Sequence, residues 1–142
     1  RDRYANIEVS YLLQRLERYD GVVVLATNFE KNIDEAFLRR IHTRVEFVVP
    51  AEEERLTIWA RNFPPGAPLG DVDLPFLAKR FELSGGSIRN AAVHAAFLAA
   101  SQGAPITMEL TVRAIAREMR KLGRLLKPEH FGPWFEAAVA TD

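Results

Sequence analysis

The run Val22–Ala26, read in context as GVVVLATN, constrains the fold of this chain more than any other feature. Five apolar residues in a row, mostly β-branched, fit a strand covered on both faces in a parallel sheet. The run stops at Thr27-Asn28. Before it, NIEVSYLLQRLERYDG places Ile7, Tyr11, Leu12 and Leu16 at helical spacing and ends in the turn signal Asp20-Gly21. After it, Asp34 can cap a short helix with Phe37, Leu38 and Ile41 on one face. RVEFVVP then alternates Val45, Phe47 and Val49 against Glu46 and closes at Pro50. Helix, strand, helix, strand is half of an α/β sandwich.

The character changes after Pro50. AEEERLTIWARNF puts three glutamates in the first turn of a helix, with Leu56, Trp59 and Phe63 as its expected buried stripe. PPGAPLGDVDLP reads as a loop, and Asp73 with Pro75 starts a short helix carrying Phe76, Leu77 and Phe81. SGGSIRNAAVHAAFLAASQG is an alanine-rich helix between glycines. Met108, Val112, Ile115, Met119 and Leu122 follow at helical spacing, with Gly123 as a C-cap. No strand signal follows residue 50, so the expected class is α/β followed by all-α. In the tail, Phe131, Trp134 and Phe135 suggest packing against something.

Composition narrows the function classes. Lysine plus arginine and aspartate plus glutamate number 19 each, so no global field argues for nucleic acid or a membrane. Without cysteine there are no disulfides or thiolate-held metals, and a reducing compartment, the cytoplasm, is the expected location. No apolar run approaches the roughly 20 residues that span a bilayer. The chain starts at Arg1 rather than Met, which leads us to expect a piece of something longer.

Three places invite a functional reading. Ligands of open α/β sheets bind beyond the carboxyl ends of strands, where Asn28 would stand. An amide both donates and accepts, so it can orient a water beside a phosphate; the plain alternative is a turn residue. Arg39 and Arg40 lie off the apolar face of their short helix, where solvation is the default and phosphate recognition the functional alternative. Ser84 or Ser87 can cap the alanine-rich helix, which puts Arg89 in its first turn, where a cation opposes the helix dipole unless an anion also sits there. His42, His94 and His130 lack metal-ligand spacing. Arg113, Arg117, Arg120, Lys121 and Arg124 cluster on or after the last helix, but Glu109 and Glu118 interrupt them. That favours a solvated face over nucleic-acid binding.

In this order, the segments resemble the C-terminal part of an AAA-type ATPase module. The resemblance runs up to about Arg124, and the form is closest to bacterial single-module members. VVVLATN is similar to the fourth core strand ending in the first sensor, which implies that Asn28 is the sensor asparagine. NIDEAFLRRIHTRVEFVVP resembles the arginine-finger segment and fifth strand, and SGGSIRNAA the second-sensor helix of the lid. DRYANIEVSYLLQRLERYDG resembles the helix after the second Walker motif. The resemblance implies a partial P-loop-type α/β sandwich over residues 1–50, a helical lid over 51–126 and a tail over 127–142. It also implies catalytic roles for Asn28, Arg40 and Arg39, and nucleotide contact through Arg89, Gly85 and Gly86.

Many members read LRPGRFDR where this chain has the shorter LRRIHTR. Arg40 is the best match to the finger, Arg39 the next, and Thr43 stands where a second arginine is expected unless Arg44 substitutes. No G-x-x-x-x-G-K-S/T loop and no acidic strand end occur in the 142 residues. The parts that hold ATP and Mg2+ are therefore expected in a longer parent, and neither should bind this chain tightly. The implied partners are other copies in a ring and a protein substrate or adaptor. The implied activity is ATP-driven remodelling of proteins. The alternative is a non-catalytic regulatory or interaction module that keeps an AAA-like shell.

Overall fold

The computed structural model describes residues 2–27 and 35–140. It divides into two compact units, Arg1–Glu46 and Phe47–Asp142.

In the first unit, α1 (Asp2–Arg18) carries Arg15 and Arg18 in its last turn, where cations complement the dipole. The short helix α2 (Glu35–Leu38) follows. The α/β sandwich expected over residues 1–50 is not present: among the described residues no β-strand forms. Val22–Ala26 has no ladder partner, and its side chains are exposed, Val22 at 90% and Val24 at 86%. The segment from Val45 to Val49 is likewise without regular structure, with Phe47 94% exposed. The physical reason is that an extended run becomes a strand only when a neighbour takes its N–H and C=O groups. Three or more strands with a covered face are needed before such pairing is stable alone. Tyr11 and Leu12, expected on the apolar face of α1, are exposed as well. Asp34 lies outside the described residues.

The second unit is helical. Helix α3 (Glu52–Asn62) opens with three glutamates, and the Glu54 carboxylate accepts the Ala51 N–H at 2.7 Å. Its buried residues are Arg55 and Trp59; Leu56, expected in the stripe, is exposed. Arg55 replaces it because its guanidinium finds carbonyls, donating from Nε to Ala78 and from Nη1 to Pro50, both at 2.7 Å. Asp73 caps α4 (Leu74–Arg80) by accepting the Phe76 N–H, and Leu77 and Ala78 point inward. Helix α5 (Gly85–Gln102) buries Ala91, Ala92, Ala95 and Ala99, small side chains that let α3 and α6 approach closely. Gly103, at φ +62°, ends α5 in the left-handed conformation that glycine adopts without steric cost.

The short link to α6 (Met108–Lys121) is pinned twice. Thr107 caps the helix through the Leu110 N–H, and the Asp71 carboxylate accepts the Met108 N–H at 2.9 Å. Along α6, Met108, Val112, Ile115 and Met119 are buried as their spacing predicts, and Leu122 is exposed. Beyond it, α7 (Pro128–Phe131), a 3-10 turn (Gly132–Trp134) and α8 (Phe135–Val139) fold back, with α8 against α6. Phe131 is fully buried, edge-on to Phe81 at 4.8 Å, so the tail belongs to this unit's core. Trp59, Leu77, Ile88 and Ile115 complete that core at zero exposure, each contributing about 1.5–3 kcal/mol by burial.

Candidate functional site

The N-terminal end of α5 holds three of the residues singled out in sequence. Ser84 is the cap: its hydroxyl accepts the Ser87 N–H at 3.2 Å and leaves Gly85 and Gly86 as the first helical residues. Neither glycine has a positive φ. A Cβ would meet only Ile58 at 3.7 Å from Gly85, and Ser84 at 3.9 Å from Gly86, so glycine here is not forced by backbone strain or crowding. What the pair does is leave this helix end bare of side chains.

With Ser84 as cap, Arg89 stands one turn further in than a Ser87 cap would place it, beyond the first turn. The dipole conflict expected for it is therefore weakened, because that field fades within a turn. Arg89 is exposed, and its guanidinium makes no hydrogen bond or ion pair to the described residues. A guanidinium in that condition can offer its full fork to an anion.

At this turn lies a polar cluster, built on one buried carboxylate, that sequence reading missed. Glu118 on α6 is only 7% exposed and accepts from Asn90 Nδ2 at 3.1 Å and from Lys121 Nζ at 2.7 Å. Burial pushes its carboxyl up, but hydrogen bonds from Lys121, Asn90 and Ser87, with the Lys121 charge, outweigh burial and hold it below the ordinary range. Two of these donors, Ser87 and Asn90, flank Arg89 in the chain, so the cluster fixes the turn from which Arg89 projects.

The remaining candidates belong to the first unit. Asn28 lies outside the described residues. Arg39 pairs with Glu35 one helical turn back at 2.8 Å, and Arg40 pairs through Nε with Glu17 of α1 at 2.7 Å, both arginines being exposed. Arg44 lies 3.9 Å from Glu46.

The basic residues on and after α6 are exposed, with Arg113 half-buried, as a solvated face requires, but several of them are also paired. Lys121 is taken by Glu118, and Arg124 donates to the Glu82 carbonyl at 2.9 Å. Arg117 instead meets His94 of α5, its Nη1 lying 2.7 Å from Nδ1. The same Nη1 is 3.2 Å from Nε2, and because a guanidinium can only donate, the contact favours a neutral imidazole that accepts through a ring nitrogen. Burial, reinforced by the Arg117 charge, lowers the His94 pKa from its ordinary 6.5. The signal was available in the sequence only as the i, i+4, i+7 spacing of Arg113, Arg117 and Arg120, since His94 reaches them from another helix.

Among the described residues no helix is long and apolar enough to cross a membrane, and no group of three or more His, Asp or Glu could hold a metal ion. No protein-family model, curated protein or solved structure matches the chain.

Proposed function

We propose that the chain carries the sensor and helical-lid portion of an AAA-type ATPase that couples ATP binding and hydrolysis to remodelling of protein substrates. The observation that supports this reading is Arg89, an uncommitted guanidinium beside a glycine-opened helix end, on a turn held by the Ser87–Asn90–Glu118 cluster. Residues of this chain fit the phosphate side of ATP: Arg89 would hold a phosphate oxygen, with Gly85 and Gly86 leaving room for its approach. They do not fit Mg2+, for which no carboxylate cluster is formed among the described residues. ATP supplies the phosphoryl group whose transfer to water drives the machine. The chain's contribution is positioning and charge stabilisation, with Asn28 orienting the water and Arg40 or Arg39 acting on a neighbouring copy's nucleotide.

The test is Arg89→Gln in the protein that includes the phosphate-binding loop. Nucleotide affinity or turnover should fall while the helical content of the lid, followed by circular dichroism, stays the same. Unchanged affinity and turnover would return Arg89 to an ordinary surface role.

A further inference from the structure

Away from the N-terminal end of α5, a cleft of about 210 Å³ opens where α5, α6 and the end of α8 meet. Its apolar lining is Leu98, Ala138 and Ala140, and its polar lining consists of His94, Arg117 and Arg120 together with Arg113. Among the described residues no carboxylate lines it. Arg113 has an interaction of its own, so the cleft is argued from the other three side chains.

We propose that this cleft binds a phosphoryl group, either free phosphate or the phosphate of a modified side chain. The arginines recur at the spacing that puts residues on one helix face, where like charges repel one another. A dianion placed between them offsets that repulsion more fully than a monoanion. Guanidinium forks match phosphate oxygens in two-point geometry. Size argues against a larger ligand, because sites for drug-sized molecules run to roughly 300–1,000 Å³. Arg117 has a partner before any ligand arrives: its Nη1 lies 2.7 Å from His94 Nδ1, a contact with no carboxylate to neutralise its charge. The site lies on residues other than Arg89, Gly85 and Gly86 and does not depend on the nucleotide reading.

The experiment is an NMR titration of the full chain with inorganic phosphate at constant ionic strength, with chloride as the reference anion. A second arm uses a short phosphoserine peptide and its unphosphorylated twin. Saturable shifts at His94, Leu98, Arg117, Arg120 and Ala138 are expected with phosphate and not with chloride. Arg117→Gln and Arg120→Gln should each weaken binding by about tenfold or more, the worth of one charge-assisted hydrogen bond. Arg117→Lys should recover only part of the loss, because a lysine keeps the charge and loses the fork. Lys79→Gln, which removes a charge outside the cleft, should leave binding unchanged. Tighter binding of the phosphopeptide than of its twin or of free phosphate would identify a modified side chain as the source, and equal or stronger binding of free phosphate the small anion. Shifts that never saturate, that chloride reproduces, or that survive both glutamine variants in a folded chain would overturn the proposal.

Discussion

Asn90 of α5 donates to the carboxylate of Glu118 on α6 at 3.1 Å, and this bond joins the two longest helices of the second unit through a buried charge. The second carboxylate oxygen of Glu118 is taken by Lys121 at 2.7 Å. A buried carboxylate is tolerated only when its lone pairs are so occupied.

Glu118→Ala should therefore destabilise the chain by about 0.5–1.5 kcal/mol, the net worth of a hydrogen bond, because Asn90 is exposed and water can take the place of the lost acceptor. The measurement is a lowered urea midpoint at unchanged slope. Glu118→Gln, which keeps an acceptor for Asn90, should lose less. An unchanged midpoint in both would show that the cluster contributes nothing to stability.

The pH dependence follows from two depressed pKa values. His94 and Glu118 are both shifted down in the folded chain, so in each case the unfolded chain binds protons more readily. Stability must then rise with pH across each window. The His94 contribution is present above its ordinary 6.5 and is lost as pH falls from there through the lowered value. The Glu118 contribution is present above its ordinary 4.5 and is lost on further acidification through its own folded value. Thermal midpoints measured downward from pH 8 should fall in two stages, and His94→Asn should remove the upper one. A midpoint that rises on acidification through 6.5 would contradict the Arg117–His94 geometry.

How much of this was legible in sequence differs between the two units. In the second, helix boundaries were set by local chemistry: the Asp73 start, the glycine that ends α5 and the four-and-three spacing of α6. These act within a few residues, and the structure reproduces them. Val22–Ala26 and Val45–Val49 read as strands because β-branched runs favour extended backbone, yet the property that makes a strand, a hydrogen-bonded neighbour, is not local. Among the described residues neither segment has one, and the α/β reading fails there. Arg55 and Leu56 show the same limit on a smaller scale. Periodicity assigned the stripe to the leucine, while the carbonyls of Pro50 and Ala78, distant in sequence from one another, drew the arginine inside. The Glu118 cluster and the His94 cleft were invisible for that reason too.

The tail offers a sharp stability test. Phe131 is fully buried and packs edge-on against Phe81, with Phe135 at 6.2 Å on its other contact. Phe131→Ala should cost about 3–5 kcal/mol, the usual range for emptying a buried aromatic site. Leu125→Ala, at a position 80% exposed, should stay within about 0.5 kcal/mol. Equal, small effects of the two would mean that the tail does not pack on the core.

The proposed role of Arg40 on a neighbour's nucleotide is the most exacting prediction. Its ion pair with Glu17 is half-exposed on both sides, and such pairs are worth only about 0–1 kcal/mol. The guanidinium can therefore leave Glu17 for a phosphate at little cost. Arg40→Ala should leave the fold intact, because no buried group depends on it. In a full-length ring it should lower ATP turnover by roughly 10³-fold, as loss of a finger arginine does. The decisive step is to mix that variant with a second inactive one, mutated at the lysine of its phosphate loop. Mixed rings then contain some sites with an intact lysine and a neighbour's intact Arg40, and part of the activity should return. Glu17→Gln serves as a companion, since it frees Arg40 without removing it and should preserve turnover. Because the LRRIHTR segment is short, Arg39→Ala and Arg44→Ala need the same mixing test. Full turnover in Arg40→Ala would place the finger elsewhere. A dead variant that mixing fails to rescue, despite demonstrated subunit exchange, would end the trans assignment.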